Sequence, residues 1–422
     1  MKILLLGSGA REHAMAYNLS KSALVENLFI APGNPGLASI GILQPLNLDD
    51  QASVLEFCNA NQIDMVICGP EAPLAQGLMD YLELHNPDLI LIGPKQKGAQ
   101  LESSKAFAKE FMIKYEIPTA RYQSFDKNQI QEAINFGKSL GLPLVIKADG
   151  LAAGKGVVIT QSHEESEAEI KSMLAGKFGT ASSTLVIEEF LSGIEFSVFV
   201  LTNGHQYVLL PTAKDYKRVG EGDTGPNTGG MGSISPVPFA DEEMMEKVKN
   251  KIILPTLSGL QKENIPYQGF IFFGLISVNG EPFVIEYNCR MGDPETESVM
   301  MRLQSDLARL CLQCHQGRLD TASVKISPQH VATIFLTSGG YPGDFEKDKL
   351  IGPLPELQHG EQIFFAGVTQ KNNHLYSSGG RVIAVSCLGE NRKDAIDAAM
   401  TLAEKISYEG KYYRKDIGFD LV

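Results

Sequence analysis

Short apolar runs and amphipathic helical patterns alternate through the first hundred residues. Ile3–Leu6, Asn27–Ile30, Met65–Cys68 and Leu89–Ile92 read as strands, each closing on Gly, Pro or Asn. Helix-like stretches such as Arg11–Lys21 and Gln51–Asn61 lie between them. Strands spaced by helices of this length predict right-handed βαβ units and a parallel sheet. The loops Gly7–Gly9, Pro32–Gly36 and Gly69–Glu71 then gather at the carboxyl edge, where open α/β sheets bind ligands.

Beyond residue 102 the order changes. A helix pattern over Ser103–Tyr115 stops at Ile117-Pro118, and a second helix, Asn128–Leu140, leads to a strand at Leu144–Lys147. The Gly-rich run Asp149–Gly156 turns into another strand, Val157–Thr160. A helix over His163–Ala175 and a strand at Leu185–Glu188 complete a small subdomain. Glu195–Val208 is extended, with a turn at Asn203-Gly204. Lys214–Pro238 is rich in Gly, Pro and Thr and lacks periodicity, which predicts a long functional loop. A helix over Glu242–Gln261 precedes two strands, Gly269–Val278 and Glu281–Tyr287, joined at Asn279-Gly280 as a hairpin. After a helix at Ser298–Gln316 the remainder is mainly β, with one late helix at Arg392–Ile406. This is the pattern of a multidomain α/β and α+β chain.

At 422 residues the chain is long enough for two or three well-buried domains, and 43% hydrophobic with 21% charged residues is ordinary for a globular protein. No apolar run approaches the length of a membrane-spanning helix. The opening MKILLLGSGAREHA starts basic and then apolar, yet its apolar run, Ile3 to Leu6, is too short for a signal peptide and reads as a first strand. A net charge of −13 argues against non-specific binding to nucleic acid or to anionic membranes. The six cysteines are scattered through apolar runs. Cys311-x-x-Cys314 with His315 resembles a metal or haem motif in isolation. It lacks the second pair that a structural zinc needs, so thiols buried in a reducing cytosol are the expectation.

Four segments carry candidate chemistry. Glu286 and Asn288 stand two apart on a strand, so both side chains point to one face and offer a carboxylate and an amide oxygen, hard ligands suited to Mg²⁺. Arg290, just beyond, can pair bidentately with a phosphate or carboxylate. An isolated Glu-x-Asn is more often an ordinary strand end. The run from Lys147 to Gly156 (KADGLAAGKG) lies between two strands. Its small residues let the backbone approach a polyphosphate, with Lys147 and Lys155 supplying charge. It is not a Walker A loop; a hairpin lid over ATP phosphates and a plain glycine hairpin both fit it. Glu188-Glu189-Phe190-Leu191 ends a strand and is followed by Glu195, an arrangement able to read adenine and ribose or simply a surface acidic cluster. Gly7-Ser-Gly9-Ala-Arg11-Glu12-His13 opens a helix. It lacks the third glycine of a dinucleotide fingerprint, so a phosphosugar fits it better than NAD, and His13 reads equally well as a plain helix residue.

Together these segments resemble the glycinamide ribonucleotide synthetase (phosphoribosylamine–glycine ligase) family of ATP-grasp enzymes. The likeness spans essentially the whole chain, in order: GSGAREHA, APGNPG, GPEAPLAQG, SSKAFAKEF, IKADGLAAGKGV, EEFLSGIEFSV, GDTGPNTGGMG, VIEYNCRMGDPE and YYRKDIG. It implies an N-terminal α/β substrate domain at 1–102. An ATP-grasp unit follows at 103–325, with a lid subdomain at about 120–190, and a C-terminal β-rich domain at 326–422. It implies ligation of glycine to 5-phosphoribosylamine through glycyl phosphate, at the expense of ATP and with Mg²⁺ or Mn²⁺, in the cytoplasm. It also leaves room for transient contact with the enzyme that makes phosphoribosylamine.

Carried over by position, the resemblance puts Lys105, Lys147, Gly154, Lys155 and Gly156 on ATP phosphates. Glu188, Phe190 and Leu191 fall on adenine, Glu195 on ribose, and Glu286 with Asn288 on the metal. Arg290, Lys147 and Asp293 are the expected catalytic groups, with Asp293 also a candidate for the glycine ammonium. The substrates are expected among Gly9, Arg11, Glu12, His13, Asn34, Gly36, Glu71, Lys214, Asp215, Lys217, Arg290 and Asp293. Three departures from the family pattern stand out: Ala10 for a third consecutive Gly, Tyr216 for a usual His, and Ser233-Ile234 for Ala-Tyr. An NAD(P)-linked oxidoreductase on the N-terminal unit is opposed by the missing glycine, and a non-catalytic scaffold by the lysines and metal ligands.

Overall fold

A computed structural model describes residues 1–152 and 156–421. The first strand, Lys2–Gly7, is almost wholly buried and pairs in parallel with Asn27–Pro32 on one side and Met65–Cys68 on the other. With Ile42–Leu43 and Ile90–Ile92 at the edges this makes a five-stranded parallel sheet, as the βαβ spacing predicts. Helix Ala10–Leu19 starts directly after the first strand, its N-terminal Gly9 N–H donating to the Glu12 carboxylate at 2.7 Å.

Two four-stranded antiparallel sheets follow. One, in the order Tyr122–Asp126, Thr184–Glu189, Leu144–Ala148, Val157–Thr160, carries helices Ile130–Leu140 and His163–Leu174 over a small apolar core around Phe125, Ile146 and Ile187. The other runs Tyr207–Leu209, Ile194–Thr202, Gly269–Val278, Glu281–Asn288. Its last two strands form the expected hairpin, with the ladder shifted by one residue between Gly274 and Leu275. This bulge lies next to Glu286, and bulges commonly re-aim a side chain beside a site.

Four helix or loop expectations are revised by local chemistry. The helix expected over Ser103–Tyr115 is two helices, Gln96–Ser103 and Lys105–Lys114, because Ser104 is extended and caps the second by accepting from Phe107 N–H. The helix expected over Ser298–Gln316 is Glu295–Arg302 and Leu307–His315, with Asp306 capping the second half. The one over Glu242–Gln261 passes through a wide turn at Lys249–Ile253, next to Pro255, which has no N–H to continue the ladder. Lys214–Pro238 is not structureless. Lys214–Asp215 and Gly232–Ser235 pair with each other, and the latter pairs with His330–Thr337, so this segment completes the C-terminal sheet with Arg381–Gly389 and Glu361–Phe365. Cys311 and Cys314 are buried in the core of their helix, and all six cysteines are free and buried. Among the described residues, no helix is long and apolar enough to cross a membrane.

Candidate active site

The two antiparallel sheets face each other across an open cavity of about 350 Å³, which extends to the N-terminal unit at Glu71. Strand Leu144–Ala148 places Lys147 at its floor, and strand Thr184–Glu189 places Glu188 beside it. The Glu188 carboxylate is held between two lysines, Lys147 and Lys109, each at 2.9 Å, and all three groups are buried. Burial works to raise the Glu188 pKa, but Lys147 and Lys109 hold it below the usual carboxylate range. Burial also brings Lys109 down to about 8 against the pull of Glu188. Lys109 donates to Thr119 Oγ1 at 2.7 Å, and Thr119 in turn to Val284 O, which ties the floor to strand Glu281–Asn288. Since both Glu188 oxygens face lysines, its backbone and the neighbouring Phe190 and Leu191 form the apolar lip of the cavity.

Lys105 stands at the first turn of its helix and donates to the carbonyls of Asp149 and Gly150 at 3.4 and 3.3 Å. Burial depresses its pKa, opposed by the charge of Glu286. Gly156 lines the cavity; Gly154 and Lys155 lie outside the described residues. Glu195 also lines it, ion-paired to Lys217 at 3.0 Å, and Asp215 lies in the same charge cluster. Burial raises Asp215, whereas Asp215 and Glu195 overcome burial to push Lys217 well above its ordinary value.

Glu286 and Asn288 share one face of Glu281–Asn288, past the bulge, and both line the cavity. Asn288 Nδ2 donates to Tyr287 O at 2.9 Å, leaving its amide oxygen free; Glu286 pairs through its backbone with Gly274, and its carboxylate has no hydrogen-bond partner among the described residues. Two unengaged hard oxygens beside Lys105 fit Mg²⁺ or Mn²⁺, which take their remaining ligands from phosphate and water. Among the described residues, no group of three or more His, Cys, Asp and Glu is placed to hold a metal, and the charges of Lys105, Lys217 and Asp215 act on Glu286.

Arg290 is fixed from two sides, to Glu102 at 2.7 Å and to Glu71 at 3.3 Å. Burial opposes ionisation of Glu71, but Arg290 and Arg11 keep it below its ordinary range; burial prevails at Glu102 and raises it. Asp293 sits opposite, its Oδ1 held by Arg381 at 2.8 Å. Glu295 lies two residues further on, at the start of its helix, 3% exposed, accepting from Ser197 Oγ.

The N-terminal loop, expected to help hold a phosphosugar, carries a carboxylate of its own. The Glu12 carboxylate accepts from Gly9 N–H and pairs with Arg11 at 2.6 Å, so an internal carboxylate already occupies the start of the helix. Gly69 and Gly7 make this room: a Cβ on Gly69 would lie 2.1 Å from Glu12 Oε1. His13 is neutral, lowered to about 4 by burial, and its Nδ1 accepts from Phe365 N–H at 2.9 Å. Asn34 Nδ2 donates to Ser8 O and Phe365 O, and Gly36 packs on His13. Arg11, Glu12, His13, Asn34 and Gly36 thus fasten the N-terminal unit internally and to the C-terminal sheet, while Lys214 pairs with Asp420. None of these six lines the main cavity; His13 and Gly36 line a second groove against Leu354 and Phe365. Tyr216 is buried with its hydroxyl donating to Asp420, and Ser233 donates to Pro294 O, so these two departures support the fold around the site.

Sequence reasoning passed over Lys109, Glu102 and Arg381. Lys109 lies four residues after Lys105 on one helix, a spacing that puts both on the same face. Arg381 comes from a distant strand, and no local pattern points to it.

The family models for the phosphoribosylglycinamide synthetase N domain, ATP-grasp (A) domain and C domain match residues 1–102, 103–296 and 331–420. A phosphoribosylamine–glycine ligase of Vibrio parahaemolyticus is 44% identical, with 99% of this chain and 98% of the relative covered. One of Pasteurella multocida is 43% identical, over 100% and 98%. Among solved structures, phosphoribosylamine–glycine ligase of Thermotoga maritima aligns at a TM-score of 0.86 and 36% identity, covering 99% of this chain and 100% of that one. The biotin carboxylase domain of the Hydrogenobacter thermophilus 2-oxoglutarate carboxylase, in complex with MgADP, aligns at 0.74 with 16% identity over 97% and 91%, a likeness of fold.

Proposed function

The chain belongs to the phosphoribosylglycinamide synthetase family, and from that premise we infer how its cavity divides the work. It is an ATP-dependent carbon–nitrogen ligase that joins glycine to 5-phosphoribosylamine in purine biosynthesis, using ATP with Mg²⁺ or Mn²⁺. In our reading a glycine carboxylate oxygen attacks the γ-phosphorus of ATP and releases ADP. The glycyl phosphate so formed is attacked by the amine nitrogen; the C–N bond forms, the acyl C–O bond breaks, phosphate leaves and nitrogen sheds a proton.

Lys105 and Lys147 are assigned to the phosphates, Phe190 and Leu191 to adenine, and Glu195 to ribose, its carboxylate released from Lys217 on binding. Glu286 and Asn288 would hold the divalent ion, which would supply charge neutralisation at the transferring phosphoryl group. Arg290, oriented by Glu71 and Glu102, steadies the phosphoryl group or the glycine carboxylate, and Asp293 receives the glycine ammonium. A fixed guanidinium and fixed lysines act by position and charge. We also place the reaction in the cytoplasm, with a transient contact to the enzyme supplying phosphoribosylamine; the instability of that amine supports such a contact.

The observation that carries this division is the pair of unengaged oxygens on Glu286 and Asn288 beside Lys105. Glu286→Gln keeps the shape and removes the charge. It should lower kcat by about 100-fold or more and raise the Mg²⁺ concentration for half-maximal rate. Near-normal turnover with an unchanged Mg²⁺ dependence would contradict the assignment.

A further inference from the structure

Arg381 lies on strand Arg381–Gly389 of the C-terminal sheet, far in sequence from every residue assigned above. Its guanidinium rests 4.5 Å over the Phe335 ring and is largely buried. One nitrogen, Nη2, pairs with Asp293 Oδ1 at 2.8 Å. The other, Nη1, donates to the carbonyls of Asp293 at 3.1 Å, Gly229 and Gly230. One side chain therefore fastens two separate loops of the cavity wall and aims the carboxylate between them.

The two loops also touch directly. Gly230 has a positive φ of +112°, and a Cβ there would lie 2.3 Å from Pro294 Cδ. Gly229 N–H donates to the Tyr341 hydroxyl at 2.9 Å, a second tie to the C-terminal part. On the far side, a Cβ on Gly9 would stand 3.6 Å from Asp293 Oδ2, so Asp293 lies between the N-terminal turn and the C-terminal sheet. Arg381 engages Oδ1, and Oδ2 keeps no hydrogen-bond partner among the described residues. That free oxygen is the one left to accept from an ammonium.

We propose that Arg381 is a positioning residue for the ligation: it acts through Asp293, and the C-terminal sheet thereby becomes part of the glycine end of the site. The inference rests on the assignment of Asp293 given above. A planar guanidinium presents two edges at once, so it pairs with the Asp293 carboxylate and donates to the loop carbonyls together. A lysine ammonium is a single point and does not hold both.

The test is a double-substitution cycle on the full chain, with KM for glycine and for ATP and kcat measured separately. Wild-type activity that depends on glycine and phosphoribosylamine comes first, and its absence would end the functional reading rather than this one. Given that activity, Arg381→Gln should lower kcat/KM for glycine by about 100-fold while KM for ATP stays within about twofold. Asp293→Asn should show a comparable loss, and the double variant should be no worse than the poorer single one, because one group works through the other. Arg381→Lys should still lose about tenfold; it carries the test if Arg381→Gln does not fold. Losses that multiply in the double variant, a parallel rise in KM for ATP, or an Arg381→Lys enzyme equal to wild type would each overturn the proposal.

Discussion

Glu295 is a carboxyl group in a place that disfavours its charge. It is buried at the start of helix Glu295–Arg302, and burial, followed by the negative charge of Asp215, raises its pKa from 4.5 to about 8. Between those values the folded chain keeps a proton that the unfolded chain has lost, so stability falls as pH rises through that window. Glu295→Gln binds no proton in either state. Its urea midpoint should decline less than the wild type's between pH 5 and 8, and parallel declines would contradict the shift. The sequence named Arg290 and Asp293 in this segment but did not give their partners. A motif lists neighbours along the chain, whereas Glu102, Glu71 and Arg381 arrive from three other elements. His13 shows the converse. A local pattern fitted a ligand and a plain helix residue equally well, and tertiary contact makes it a neutral acceptor for Phe365 N–H.

At the level of elements, a row of buried hydroxyls supports the Asp293-Pro294 turn. Ser233 Oγ donates to Pro294 O and meets Ser298 Oγ at 2.8 Å; Ser298 meets Thr333 at 2.7 Å, and Thr333 meets Ser386 at 2.8 Å. The row links the turn to a helix and to three strands of the C-terminal sheet. Ser233→Ala should cost about 1–3 kcal/mol by denaturant unfolding, since the Pro294 carbonyl is left buried without its donor. A cost near zero would mean that water fills the gap. A second latch closes segment 214–232. Arg414 is fully buried and pairs with Asp223 at 2.6 Å and Asp416 at 2.8 Å, while Lys214 and Tyr216 both reach Asp420. In Arg414→Met, amide exchange in 214–227 should quicken about tenfold, equivalent to about 1.4 kcal/mol of local opening, with the N-terminal sheet unaffected. Unchanged exchange there would remove the latch. Strands and βα alternation were legible because period and punctuation are local. The strands inside 214–238 were not, because Gly232–Ser235 lies in the sheet chiefly by pairing with His330–Thr337, about a hundred residues away along the chain.

Across the whole molecule, the parts meet at Asp293. The N-terminal turn approaches it at Gly9, Arg381 grips it from the C-terminal sheet, and the strand bearing Glu286 and Asn288 leads into it. Asn18 and Asn34 fasten the N-terminal unit to Met300 O and Phe365 O, so the relative placement of the parts is set by directed bonds as well as by apolar packing. Order and identity of the segments were readable from the motifs in series. Their convergence was not, because it depends on contacts between residues up to 352 positions apart. The most direct test of the account is ADP release with Mg²⁺ across a panel of amino acids, with and without phosphoribosylamine. Sustained ADP formation is expected with glycine and phosphoribosylamine together, and little with either alone. Turnover independent of glycine, or equal with other amino acids, would contradict it.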